Sequence, residues 1–139
     1  MKLLVLRLSK MIGIDTNILT RTFLEDDKIQ GKAAQNFLKN NITSKIFIAS
    51  YALLEFVWVL KVNKFTRQEI YETVINLIDN SGFIIGHQDI IISATEQYIK
   101  GKADFADYII IAEGEVNSAN KFITFDKDLV REVKNASYP

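Results

Sequence analysis

Apolar residues in this chain follow two rhythms. Met11 to Asp15, Lys45 to Ala49, Phe83 to Ile85 and Phe122 to Phe125 are short, nearly continuous apolar runs of the kind that form buried strands. Between them, apolar positions recur at the spacing of one helical face. Thr16-Asn17 supplies capping residues for a helix running roughly to Glu25, and Asp26-Asp27 caps a second through about Asn40, with Ile29, Ala33, Ala34, Phe37 and Leu38 on its apolar side. Ser50 caps a helix from Tyr51 to about Val62. Thr66 and Glu69 form a capping box opening a helix to Asn80, whose buried face is Ile70, Val74, Leu77 and Ile78. Asp89 to Lys100 reads as a helix stopped by Gly101, Asp104 to Ala119 as another, and Asp126 to Val133 as a short last one. The tail from Lys134 to Pro139 carries no pattern that assigns an element.

Short strands alternating with longer helices predict an α/β fold, a three-layer α/β/α sandwich around a central, mainly parallel sheet. At 139 residues and 48% hydrophobic the chain fits one domain with its own core. We expect that domain over residues 11–139, with Met11 as the functional start and residues 1–10 an extension. There is no repeat and no proline-rich linker, the one proline being Pro139.

Zero cysteines exclude a disulfide framework, a thiolate zinc site and a cysteine nucleophile. Seventeen basic and seventeen acidic residues give no net charge, so bulk electrostatics cannot hold nucleic acid here; a nucleic-acid substrate needs a local basic rim or metal ions. The first apolar run is broken by Arg7, Ser9 and Lys10 with no cleavage signal after it, and no stretch approaches the roughly 18 apolar residues of a membrane span. The expectation is a cytoplasmic protein without a membrane partner.

The chemistry lies in the acids. Ile12-Gly13-Ile14-Asp15 and Phe122-Ile123-Thr124-Phe125-Asp126 are both strands ending on an aspartate. Ligand sites of open parallel sheets lie beyond the carboxyl ends of strands, so these two can converge. Glu55 is the single charge in Tyr51 to Leu60, a run otherwise apolar or aromatic. A helix apolar all round is a buried one, which predicts that Glu55 is buried and needs a partner; the alternative is that it simply reaches solvent at the edge of the helix. Asp104 and Asp107 bracket the first turn of their helix at a spacing that lets both face one way. Each aspartate also has a plain reading as a helix cap. Five carboxylates from four elements would repel one another unless cations neutralise them, and all-oxygen ligands suit Mg²⁺ or Mn²⁺ and phosphodiester hydrolysis.

In this order and context, Ile14-Asp15-Thr16-Asn17, Glu55, Asp104-Phe105-Ala106-Asp107 and Thr124-Phe125-Asp126 resemble the PIN-domain ribonucleases, within them the VapC-type toxins of toxin-antitoxin pairs. The resemblance implies a metal-dependent endoribonuclease with Asp15, Glu55, Asp107 and Asp126 lining a metal pocket and Asp104 beside them. It implies supporting roles for Thr16, Asn17 and Thr124, an RNA substrate, a homodimer and a cognate antitoxin. An RNA-processing PIN domain without an antitoxin, and a non-catalytic RNA- or protein-binding domain keeping the acids as caps, remain alternatives. A phosphatase using Asp15 is weaker, because Asn17 stands where its second acid belongs. His87, the one histidine, reads as a surface or capping residue, and Tyr51 and Trp58 as core, although aromatic surface near a metal cleft could stack on unpaired bases. Arg21, Lys127 and Arg131 stand near the strand-end acids, where they could meet phosphates, though each is more simply a solvated charge.

Overall fold

Strands of two or three residues cannot hold a sheet by themselves; here Ile48 and Ile85, each on such a strand, join one apolar core with the helices. The computed structural model describes residues 11–24 and 26–139. The extension expected over residues 1–10, and Glu25 at the expected end of the first helix, lie outside the described residues. In order, the elements are β1 (Ile12–Gly13), α1 (Thr16–Phe23), α2 (Lys28–Asn41), β2 (Ile46–Ile48), α3 (Ser50–Val62), α4 (Arg67–Asp79), β3 (Phe83–Ile85), α5 (Gln88–Lys100), α6 (Phe105–Val116), β4 (Phe122–Ile123), α7 (Lys127–Glu132) and β5 (Ala136–Ser137), with a 3₁₀ turn at Ile42–Ser44. Strands and helices alternate as expected, and the fold is the α/β class read from the sequence.

All strand pairs are parallel. One ladder runs β1-β2-β3, with Ile12 beside Ile46 and Ile46 beside Phe83; a second pairs β4 with β5, Phe122 beside Ala136. No ladder joins β1 to β4 among the described residues. Ile12 and Ile14 donate their N–H groups to Lys45 and Phe47 on the β2 side, while Phe122 and Thr124 donate to Asn135 and Ser137 on the β5 side. Gly13 and Ile123, whose backbone groups point the other way in such ladders, stay exposed. The tail, which carried no local pattern, forms β5 because Ala136 is buried there, a long-range effect invisible to periodicity.

The core joins Leu19 of α1, Ile48 of β2, Leu53, Phe56 and Leu60 of α3, Ile70 and Val74 of α4, Ile91 of α5, Tyr108 of α6 and Leu129 of α7. Thr66 caps α4 with the expected box: its hydroxyl accepts from Glu69 N–H, and the Glu69 carboxylate accepts from Thr66 N–H. Ser50 departs from expectation, lying inside α3 while Ala49 takes the N-cap position. Ile29 departs too, at 85% exposure, because α2 turns Gly31 and Ala34 inward and leaves its first turn in water. Leu53→Ala should therefore destabilise the domain by about 2–5 kcal/mol, whereas Ile29→Ala should stay within about 0.5 kcal/mol of wild type, both read by urea unfolding.

Candidate active site

Each acid is fixed by hydrogen bonds that its local chain provides. Asp15 caps α1, its Oδ1 accepting from Thr16 N–H at 2.7 Å. Asp126 caps α7, its Oδ1 accepting from Asp128 N–H at 2.8 Å and Leu129 N–H at 3.1 Å, while its own N–H donates to the Thr124 hydroxyl at 3.0 Å. Asp104 is the N-cap of α6 and donates its N–H to Asp107 Oδ2 at 3.2 Å. Glu55 Oε1 accepts from the buried Thr16 hydroxyl at 3.2 Å, which ties the second turn of α3 to the residue after Asp15. Among the described residues, the other oxygen of Asp15, Glu55, Asp107 and Asp126 accepts no hydrogen bond. One oxygen anchors and the other stays available to a ligand.

The expected burial of Glu55 is wrong. Glu55 is exposed, and so are Tyr51 at 70%, Trp58 at 64% and Val62 at 58%, on the same face of α3. The opposite face, Ala52, Leu53, Phe56, Val57 and Leu60, supplies the core. A helix apolar all round thus has one face in water, and the expectation of Tyr51 and Trp58 as core fails for the same reason.

Asp107 is the acid under most electrostatic pressure. Partial burial raises its pKa above the ordinary carboxylate value, the charges of Asp104 and Asp126 push the same way, and the Asp104 N–H and the more distant Lys61 ammonium oppose them. The first turn of α6 and the start of α7 therefore bring three acids within electrostatic reach. Asp15 and Glu55 form a second pair through Thr16. Among the described residues, no three acids already stand as ligands around one point. Lys61, on the last turn of α3, forms an ion pair with Asp104.

The other residues singled out in the sequence lie aside. Arg21 is engaged with Asp26, both carboxylate oxygens at 3.0 Å, and with Gln30. Lys127 and Arg131 are exposed on α7, and Asn17 is exposed on the first turn of α1. His87 is an exposed residue at the N-cap position of α5, in the left-handed region at φ 51°, and its side chain makes no cap bond there.

A family model for the PIN domain matches residues 12–135, nearly the whole chain. The chain belongs to the PIN domain family. PIN domains are typically nucleases, and those nucleases generally use divalent metal ions. No curated protein matches the chain closely. No helix among the described residues is long and apolar enough to cross a membrane.

In this PIN domain the loop that delivers Asp104 and Asp107 is held from both sides by residues the sequence reading passed over. From α4, Arg67 donates to the carbonyls of Tyr98 at 2.7 Å and Ala103 at 2.6 Å, and its guanidinium lies 3.8 Å from the centre of the Tyr98 ring. From α7, Glu132 accepts from Lys102 N–H at 2.7 Å and from the Tyr108 hydroxyl at 2.6 Å. That hydroxyl accepts from Ala103 N–H at 3.1 Å. Burial and the bond to Glu132 push the Tyr108 pKa up to about 12, so it remains a donor at working pH. The contacts made by Arg67 and Glu132 span 24 to 36 positions, which is why no local motif announces them. The one sequence signal was Gly101, read as a helix stop. A β-carbon there would overlap the Tyr108 hydroxyl and crowd the Glu132 carboxylate.

Gly101→Ala should thus destabilise the domain by about 1–3 kcal/mol in urea unfolding. The Asp107 pKa carries a further consequence. A folded-state value above the unfolded one means that the group's contribution to stability is present below the ordinary carboxylate pKa and is lost as pH rises through the raised value. Asp107→Asn should abolish that loss, so thermal melts in EDTA between about pH 4 and 7 should show the variant equal to or above wild type at the upper end.

Proposed function

We propose that this PIN domain is a Mg²⁺- or Mn²⁺-dependent endoribonuclease and the toxin of a toxin-antitoxin pair, a cytoplasmic homodimer inhibited by a cognate antitoxin. The observation that carries the metal reading is the half-anchored acid set: Asp15, Glu55, Asp107 and Asp126 each fix one oxygen and leave the other without a hydrogen bond among the described residues. Mg²⁺ is ordinarily held by one or two carboxylates, several waters and substrate phosphate rather than by a closed protein cage. Paired acids rather than a preformed cluster suit that chemistry. Asp15, Glu55, Asp104, Asp107 and Asp126 would hold the ion, and a bound ion would supply charge stabilisation at the phosphate and a water of lowered pKa.

The chain's own residues do the positioning. Thr124 holds the Asp126 backbone, Thr16 orients Glu55, and Asn17 follows Thr16 on the first turn of α1. Asp107, drawn toward its protonated form by burial and by Asp104 and Asp126, is the acid whose charge a cation would relieve most. The toxin assignment rests on the resemblance of the four acidic motifs to the VapC-type toxins.

The capping roles of Asp15, Asp104 and Asp126, together with the Lys61–Asp104 pair, favour a second reading, a non-catalytic RNA- or protein-binding domain. Incubation of purified protein with unstructured RNA separates the two. The nuclease reading expects cleavage that needs Mg²⁺ or Mn²⁺, falls about a hundredfold or more in Asp107→Asn or Asp126→Asn, and falls roughly tenfold in Thr124→Ala. RNA left intact at millimolar metal, or cut equally by the variants, would favour the binding domain.

A further inference from the structure

The apolar members of the outward stripe of α3 have no use in the acid chemistry, yet they border it. Tyr51, Glu55, Trp58 and Val62 follow one another at i, i+4, i+7 and i+11, and tryptophan is rarely left so far in water. A groove of about 550 Å³ runs along this stripe toward the start of α6, with Leu54, Val57 and Phe105 in its wall and Glu55, Asp104 and Lys61 at its polar edge. We propose that this groove is the base-binding subsite of the nuclease, in which unpaired nucleobases flanking the scissile phosphate stack on Tyr51 and Trp58. The proposal rests on the ribonuclease reading above and names how that site would grip its substrate.

Three observations favour a single RNA strand as the occupant. Glu55 and Asp104 belong both to the groove and to the acid set, so a strand with a phosphate at the acids must run along this surface. Tyr51 lies four residues before Glu55 and Trp58 three residues after it, about 6 Å and 4.5 Å along the helix axis, which sets one aromatic surface on each side of the acid. Lys61 brings an ammonium to the same rim, where a backbone phosphate would pass. The charge balance of the chain points the same way. With no net positive charge to draw in RNA, stacking on aromatic faces supplies a sequence-tolerant grip beside that of a bound ion and Lys61. A second copy laid on the stripe would instead bury Glu55, and Lys61, the one cation lining the groove among the described residues, is already paired with Asp104.

Trp58 is the chain's one tryptophan, so its intrinsic fluorescence reports this position alone. The full-length protein in EDTA, where metal-dependent cleavage is silent, should show saturable quenching by a short unstructured RNA and little by an abasic RNA of equal length. Anisotropy of a labelled RNA should give about tenfold weaker binding for Trp58→Ala and for Tyr51→Ala, with Trp58→Phe close to wild type. RNA binding without quenching, or unchanged by Trp58→Ala, overturns the subsite while leaving the nuclease reading intact. Trp58 emission that varies with protein concentration in the absence of RNA overturns it in favour of a second copy. RNA neither bound in EDTA nor cut with metal present removes both the subsite and the nuclease reading.

Discussion

Keeping like charges together without a cation is the constraint around which this domain is arranged. Partial burial of Asp107 disfavours its charge, and the neighbouring charges of Asp104 and Asp126 add to the penalty. The fold meets it by giving Asp107 and Asp126 backbone N–H partners at helix starts, where the dipole also favours negative charge, and by pairing Asp104 with Lys61. Capping alone does not decide between a structural role and ion binding, because Asp15 and Asp126 each use only one carboxylate oxygen as a cap. A cap occupies one carboxylate oxygen and leaves the other free to accept from a further partner.

The geometry of α6 depends on a loop with little structure of its own. Residues 101–104 are pinned by Arg67 from α4 and by Glu132 and Tyr108 from the α6–α7 side. Because Glu132 belongs to the helix that Asp126 caps, the hydrogen bond from Tyr108 couples the two acid-bearing helix starts. A change in that bond would shift Asp107 relative to Asp126. Gly101 makes the close approach feasible by having no side chain.

Much of the fold was legible because it is local. The capping box at Thr66 and Glu69, the stop at Gly101 and the caps at Asp104 and Asp126 are short-range chemistry, and each appears where the sequence placed it. What failed was non-local. Periodicity cannot tell that the apolar stripe of Tyr51, Trp58 and Val62 faces water, because side-chain chemistry there matches a core helix. It cannot find β5, whose order comes from pairing with β4, nor separate the strands into two ladders. The acids were visible as strand-end and helix-start residues, whereas the partners that hold them, Arg67, Tyr108, Glu132 and Lys61, were visible only in three dimensions.

The central claim, that these carboxylates persist in mutual repulsion because a divalent ion relieves it, is tested most directly by calorimetric titration of the purified domain with Mn²⁺, beside Asp107→Asn and Asp126→Asn. The account predicts saturable binding by the wild-type protein that both variants weaken severely. Absence of binding at millimolar Mn²⁺, or equal binding by all three proteins, would contradict it.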